Sequence, residues 1–197
     1  MFQISHHVAV IPAQDYVDQY RDIDRFLPLC RECNSYNRVW GCPPFNFDLQ
    51  HLLDSYEQAT IYGTKIEFAH DLRCQCTSPQ QSREVTREAL NEAWDILLPF
   101  LYEQEAAHPG SRIFTGRCRL CRPEKCTRPD GKPCRHPQRM RCSLESVGFD
   151  IGRTASELLG IDLCWSKNGV LPPYVTLVTA LFTRDVITPA IPPQRMK

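Results

Sequence analysis

The clearest strand-forming stretch of the chain is Tyr174-Val-Thr-Leu-Val-Thr-Ala-Leu-Phe182. β-Branched and aromatic residues of this kind favour strands. Similar stretches come earlier, at Ala59-Thr-Ile-Tyr-Gly-Thr-Lys-Ile-Glu-Phe68, at Val8-Ala-Val-Ile-Pro12 and, more briefly, at Ile113-Phe-Thr115. We therefore expect these segments to form a sheet that is mainly antiparallel.

The strands alternate with helical patterns. Ser78-Pro-Gln-Gln81 has the form of a helix start, with Ser as the N-cap, Pro at the first helical position and Gln at the third. This helix should continue through Leu97 and be kinked or divided at Pro99. Shorter helices are predicted from Asp15 as an N-cap, over residues 47–57, and from a capping box at Thr154-Ala-Ser-Glu157 to a stop at Gly160.

Length and composition place these elements in one domain. The chain has 197 residues, of which 42% are hydrophobic, which is enough to build a core. We expect a single α+β domain over residues 1–197, with a proline-rich tail from about residue 188 and two cysteine-rich loops. The apolar runs are shorter than a membrane span, and the first residues do not form a signal peptide. The expected location is the cytoplasm, without membrane contact.

The cysteine content points to metal binding. The chain has 11 cysteines, an odd number that cannot pair completely into disulfides. In a reducing compartment thiols stay free, and dense cysteine then usually serves a metal.

The strongest motif is the second cysteine loop, Cys118-x2-Cys121-x4-Cys126-x7-Cys134. Pro, Gly and Arg separate these cysteines, so the segment cannot form a regular element around a core. Four thiolates on one short loop are the usual ligands of a 4Fe–4S cluster. Zinc also accepts four cysteines and is the alternative.

The first cysteine loop contains only three cysteines, in the pattern Cys30-x2-Cys33-x8-Cys42-Pro43-Pro44. A ligand cysteine followed by proline is typical of bacterial ferredoxins. A fourth ligand could come from elsewhere in the chain, and the candidates are Cys142, Cys164, Cys74 and Cys76. The other possibility is an open iron atom at which a substrate binds. We favour the distant ligand.

A basic segment surrounds the second loop. Residues 117–141 contain nine Lys and Arg residues and two acids, whereas the whole chain is neutral. Cations and hydrogen-bond donors stabilise an anionic cluster, and we expect Arg119, Arg135 and His136 to act in this way. The same charges could dock an acidic redox partner protein. Nucleic acid is disfavoured because the net charge is zero and no nucleic-acid-reading motif is present. No small-molecule substrate can be named.

The two motifs together resemble those of a known family. The front motif C-x2-C…W-x-C-P-P-F covers Cys30 to Phe45, and the back motif, which includes P-C-R-H-P and S-L-E-S-x-G-F-D, covers Gly116 to Asp150. The chain resembles a family of small predicted metal-binding proteins of unknown function. The resemblance implies metal binding through these cysteines, as iron–sulfur clusters, and supplies no catalytic residue.

The sequence therefore predicts an iron–sulfur protein with one or two 4Fe–4S clusters. Its role would be electron transfer or support of a redox enzyme. The alternatives are a structural or interaction module that binds zinc, and an enzyme that uses an open iron site.

Overall fold

The computed structural model of this protein describes residues 1–166 and 168–193. Its centre is a four-stranded sheet in which all neighbouring strands are antiparallel. The strands are β1 (Phe2–Pro12), β2 (Gln58–Phe68), β3 (Arg112–Phe114) and β4 (Tyr174–Thr183), in the order β1-β2-β4-β3. The predicted α+β fold with a mainly antiparallel sheet is confirmed.

Helices cover both faces of this sheet. They are α1 (Ala13–Tyr20), α2 (Ile23–Glu32), α3 (Leu49–Leu53), α4 (His70–Gln75), α5 (Pro79–Ala107) and α6 (Ile151–Arg153), the last continued by a π turn over Thr154–Leu158. In the described ranges, no helix has both the length and the apolar character needed to cross a membrane.

The alternation of side chains along the strands explains why both faces are covered. Tyr62 and Leu181 point to the face on which α5 packs, together with Trp94 and Leu97. Their neighbours, such as Phe182, point to the opposite face and join the core around α1. Because successive strand residues face opposite sides, apolar residues in an unbroken run are buried between two layers.

The largest core lies on the α1 side and connects the sheet to the cysteine segments. The rings of Tyr16 and Phe149 are stacked with centroids 4.4 Å apart, and the Tyr16 hydroxyl lies 3.0 Å from the Thr154 hydroxyl. Cys142 and Leu144, from the end of the second cysteine loop, are buried in the same core. The loop is therefore anchored to the sheet at its C-terminal end.

Several boundaries near the N-terminus differ from the prediction. The strand predicted at Val8–Pro12 begins at Phe2. Asp15 is not an N-cap, because α1 already starts at Ala13. The cap is formed instead at Asp22, whose carboxylate accepts from the Arg25 amide and starts a separate helix, α2.

The central helix was predicted well, and its neighbours less so. The capping box between Ser78 and Gln81 is present, and α5 continues past Pro99 without division. The helix predicted over residues 47–57 is confined to Leu49–Leu53 and starts at an Asp48 cap. Helix α4 was not predicted, since six residues carry too little periodicity to detect.

In the C-terminal third of the chain, one predicted helix cap is wrong. Asp150, rather than the predicted box at Thr154–Glu157, caps α6 by accepting from the Arg153 amide. The helical segment ends as expected before Gly160, which has a positive φ of 65°. Beyond Thr188 the described residues form no helix or strand, and Ala190 packs against the α5 side of the sheet. The last residues of the tail, 194–197, lie outside the described part.

Candidate metal centre

The first cysteine group is built at the end of a helix. Cys30 lies in the last turn of α2 rather than in a loop, and Cys33 follows directly as the C-cap residue. The Cys30 thiol donates to the Glu145 carbonyl over 3.7 Å, and the Cys33 sulfur accepts from the Ser35 amide at 3.5 Å. The helix end therefore holds Cys30 against the segment that follows the second loop, while Cys33 is held by its own turn.

A turn brings Cys42 back toward these two residues. The Cys42 amide donates to the Val39 carbonyl at 3.0 Å, and the Asn37 amide donates to the Pro43 carbonyl at 2.8 Å. Burial raises the pKa of Cys42 to about 11, and the nearby Cys33 and Cys30 add to this rise. The three cysteines thus lie within electrostatic reach of one another.

An arginine of the second loop clamps this turn. Arg128 donates to the carbonyl oxygens of Val39 (3.0 Å), Cys42 and Pro44. Its guanidinium lies 5.0 Å from the centre of the Trp40 ring, and the Trp40 indole donates to the Thr127 hydroxyl at 3.3 Å. One side chain of the second loop therefore holds three carbonyls of the first.

A glycine allows the two loops to touch. A β-carbon on Gly41 would lie 2.6 Å from the Arg141 carbonyl oxygen and 3.4 Å from the Cys118 β-carbon. The Gly41 carbonyl accepts from the Ser146 hydroxyl at 3.2 Å. Only glycine fits this contact without displacing the backbone of the second loop.

The second cysteine group lies on the other side of that contact. Burial raises the pKa of Cys118, and the three remaining cysteines of the loop, Cys134, Cys121 and Cys126, raise it further. Cys134 accepts from the His136 amide at 3.4 Å. The effect of these three cysteines on Cys118 indicates that each of them lies on the Cys118 side of the loop, as their spacing suggests.

The three residues expected to interact with cluster sulfur differ in their positions. The Arg135 side chain donates to the Lys125 carbonyl at 2.8 Å and pairs with Glu124 at 3.2 Å, and the nearby Cys121 raises its pKa. His136 contacts Cys134 through its backbone amide rather than through its ring. The Arg119 side chain is directed to α5, where it donates to the Asn91 amide oxygen.

An ion pair holds the end of the second loop against α5. The Arg141 guanidinium donates to both carboxylate oxygens of Glu105, with Nε to Oε1 at 2.7 Å, and both side chains are about nine-tenths buried. Glu105 also accepts from the Ile113 amide at 2.8 Å, so it ties α5 to β3 as well. Removing one partner of such a buried pair leaves an unpaired charge and strongly destabilises the folded protein.

Cys142 lies between the two cysteine groups. It is 3% exposed, and burial raises the pKa of its thiol to about 12. Cys42 of the first group and Cys118 of the second both raise it further, whereas Arg112 and Arg141 lower it. Its carbonyl accepts from the Thr115 amide at 2.8 Å.

The other candidate ligands lie elsewhere. Cys74 is on α4, with its sulfur 3.7 Å from the His70 ring nitrogens, and Cys76 caps that helix and packs against the sheet. Cys164 follows the π turn.

All eleven cysteines are free thiols. Across residues 1–166 and 168–193, no three His, Cys, Asp or Glu side chains are placed to hold a metal ion.

The donor set nevertheless fits metal chemistry. Burial and repulsion between neighbouring thiolates keep these cysteines protonated. A bound cation stabilises the thiolate form and so offsets both effects. Arg117 and Arg128 already act in this direction on Cys42. The cysteines therefore supply the ligand type, and the nearby arginines the positive charge, that would favour a thiolate-bound metal.

Residues 14–182 match the family model described as predicted metal-binding protein, DUF2284. The chain belongs to this family. The match includes both cysteine groups and both segments that resembled the family's motifs, and it supports metal binding as the shared property. The searches of curated proteins and of solved structures found no match.

Some residues of the DUF2284 site were missed by the sequence analysis. Arg128 was not separated from its basic neighbours, because only the folded chain shows that it reaches the Trp40 turn. Gly41 and Ser146 were also missed. The signal that could have identified Gly41 is its position directly before Cys42, where a glycine often marks close backbone approach.

Proposed function

We propose that this protein binds two iron–sulfur clusters, one at each cysteine group, and transfers electrons between them and a redox partner. Cys118, Cys121, Cys126 and Cys134 would hold one 4Fe–4S cluster. Cys30, Cys33 and Cys42 would hold the second, with Cys142 as its fourth ligand. When bound, such a cluster accepts and releases single electrons.

The observation that carries this proposal is the direct contact between the two groups. A β-carbon at Gly41, next to Cys42, would lie 2.6 Å from the Arg141 carbonyl oxygen and 3.4 Å from the Cys118 β-carbon, so the two cysteine segments approach each other closely there. Two redox centres held in such contact would exchange electrons readily, whereas separate structural metal sites need no common interface. The Arg128 clamp supports the same view, because it fixes one group relative to the other.

Burial and electrostatic coupling favour Cys142 as the fourth ligand. Of the four candidates, Cys142 is the one whose thiol is coupled to Cys42 in the described part of the chain. Cys74 and Cys76 belong to α4, which packs against a different part of the sheet.

The chain's own residues would tune the centres. The His136 amide donates to the Cys134 sulfur, and the Arg135 guanidinium lies near Cys121. Donors to cluster sulfur stabilise the more negative, reduced form and so raise the reduction potential. The exposed basic residues of segment 117–141 would attract an acidic redox partner. We place this activity in the cytoplasm, where thiols stay reduced.

The test is purification of the full chain without oxygen. We expect a brown protein with broad visible absorbance and with iron and acid-labile sulfide in about equal amounts, as cubane clusters require. A colourless protein with stoichiometric zinc and no sulfide would replace this proposal with a zinc-binding module. A nucleic acid that binds tightly and salt-dependently, with no redox signal, would also contradict it.

A further inference from the structure

A groove with four arginines lies between α5 and the start of the second cysteine loop. Its volume is about 540 Å³. Arg83 and Arg87 extend from α5 on one wall, and Arg119 and Arg122 extend from the loop on the other. The groove is separate from the contact between the two cysteine groups.

The positive charges of this groove lack ion-pair partners in the described part of the chain. Within the described ranges, no carboxylate lies at ion-pair distance from any of these four arginines. Like charges held together in this way are stabilised by an anion that binds between them.

The protein also orients the guanidinium groups. The Arg119 side chain donates to the Asn91 amide on α5, which fixes it on the groove wall. Arg83 and Arg87 are one helical turn apart and therefore point to the same side of α5. Guanidinium groups match the oxygen atoms of phosphate with two parallel hydrogen bonds, which a single ammonium group cannot do.

The volume of the groove is large enough for a small ligand. Its volume lies in the range of small-molecule sites, about 300–1,000 Å³. Leu90 and Trp94 add apolar surface between the arginines. A ligand with phosphate groups and an apolar or aromatic portion would use both kinds of surface.

We propose that this arginine groove binds the phosphate groups of a small molecule. The inference goes beyond the proposed electron transfer, because the four arginines and their walls do not depend on which metal the cysteines hold. Arg119 lies between Cys118 and Cys121 in sequence, so the ligand would bind directly beside the second cysteine group.

The test is calorimetric titration of the full, metal-loaded protein with pyrophosphate. We expect Arg87→Gln and Arg122→Gln each to weaken binding by about tenfold or more, since each removes a charge-assisted pair of hydrogen bonds. Arg184→Gln is the matched control, because Arg184 is exposed, lies over Gly110 and makes the same change in net charge. It should leave the affinity for pyrophosphate unchanged.

Three results would overturn the inference. They are the absence of pyrophosphate binding, an equal loss in Arg184→Gln and in the groove variants, and binding of poly-glutamate but not pyrophosphate, which would make the groove a protein-docking surface. Iron and sulfide are measured on the same samples. Failure of the groove proposal with full cluster content is thereby distinguished from failure of the cluster proposal.

Discussion

The guanidinium of Arg128 covers the ring of Trp40 at 5.0 Å and reaches past it to the backbone of the first cysteine group. The two residues belong to different cysteine loops, more than 80 positions apart in sequence. This contact makes the geometry of the first group depend on the second loop.

The Arg128 clamp can be tested directly. Arg128→Gln removes hydrogen bonds to three carbonyls, and a hydrogen bond to a charged group contributes about 1.5–3 kcal/mol. We expect loss of the metal at the first group, measured as a fall in iron per chain, with the second cluster retained. Lys132→Gln removes a positive charge from the same loop, and within the described residues the Lys132 side chain makes no hydrogen bond or ion pair. This variant should retain both clusters. Equal iron in the two variants would contradict the role of the clamp.

The four-cysteine loop should depend on each of its ligands. Cys121→Ala removes one thiolate, and because the loop has no core of its own, metal binding also supplies its folding energy. We expect loss of the second cluster and new protease cleavage within residues 118–134, seen by mass spectrometry. Cys74→Ala changes an exposed thiol on α4 and is the matched control. Unchanged metal content and cleavage in Cys121→Ala would exclude this loop as the ligand set.

Cys142 should determine the stability of the first cluster. Replacing Cys142 by Ser would leave one iron without a thiolate, so brief exposure to oxygen should produce a three-iron form with its own paramagnetic resonance signal. Cys164→Ser should behave like the unmodified protein. If Cys164→Ser gives the three-iron signal and Cys142→Ser does not, Cys164 is the ligand. If neither variant changes the cluster, an open iron atom becomes the better interpretation.

The contact at Gly41 should tolerate no side chain. Gly41→Ala places a methyl group 2.6 Å from the Arg141 carbonyl oxygen, and overpacking of this kind costs about 1–3 kcal/mol. We expect a lower unfolding midpoint in denaturant. Gly131→Asn is the control, because nothing lies within 4 Å of the position and Asn accepts its left-handed backbone. A similar fall in the unfolding midpoint of both variants would mean that the spacing between the loops is unimportant.

His6 should make the protein less stable in acid. Its Nδ1 lies 3.0 Å from the Thr64 hydroxyl, and burial lowers its pKa against a smaller opposing effect of the Pro193 backbone. The unfolded state therefore binds a proton more readily, and stability falls as the pH drops below about 6.5, the pKa of a free histidine. In His6→Gln this part of the pH dependence of the unfolding free energy should disappear. In His70→Gln, where the ring is exposed, it should remain.

The fold was largely predictable because its strong signals are local. The β-branched and aromatic content of Tyr174–Phe182 and the capping box at Ser78 each specify their element from neighbouring residues alone. Boundaries that depend on a tertiary contact were predicted less well. The break between α1 and α2 is one example, since the Asp22 amide there donates to the distant Gly148 carbonyl.

The candidate site was predictable in its ligand types but not in its assembly. Cysteine spacing indicates two groups, yet it carries no information on how far apart they lie. That distance follows from α5, which holds Arg141 through Glu105, and from the Gly41 contact. Neither interaction has a periodic or spacing signature, so only the folded chain shows that the groups share an interface.

The three apolar cores have a consequence for how a cofactor would be acquired. Apart from Cys142 and a partial contribution from Cys76, these cores are built from residues that bind no metal, so the sheet and α5 can assemble first. The apoprotein would then be a stably folded chain whose cofactor site is almost formed. The supply of cofactor, rather than the folding of the chain, would then limit the rate at which the cofactor-bound protein forms in the cell.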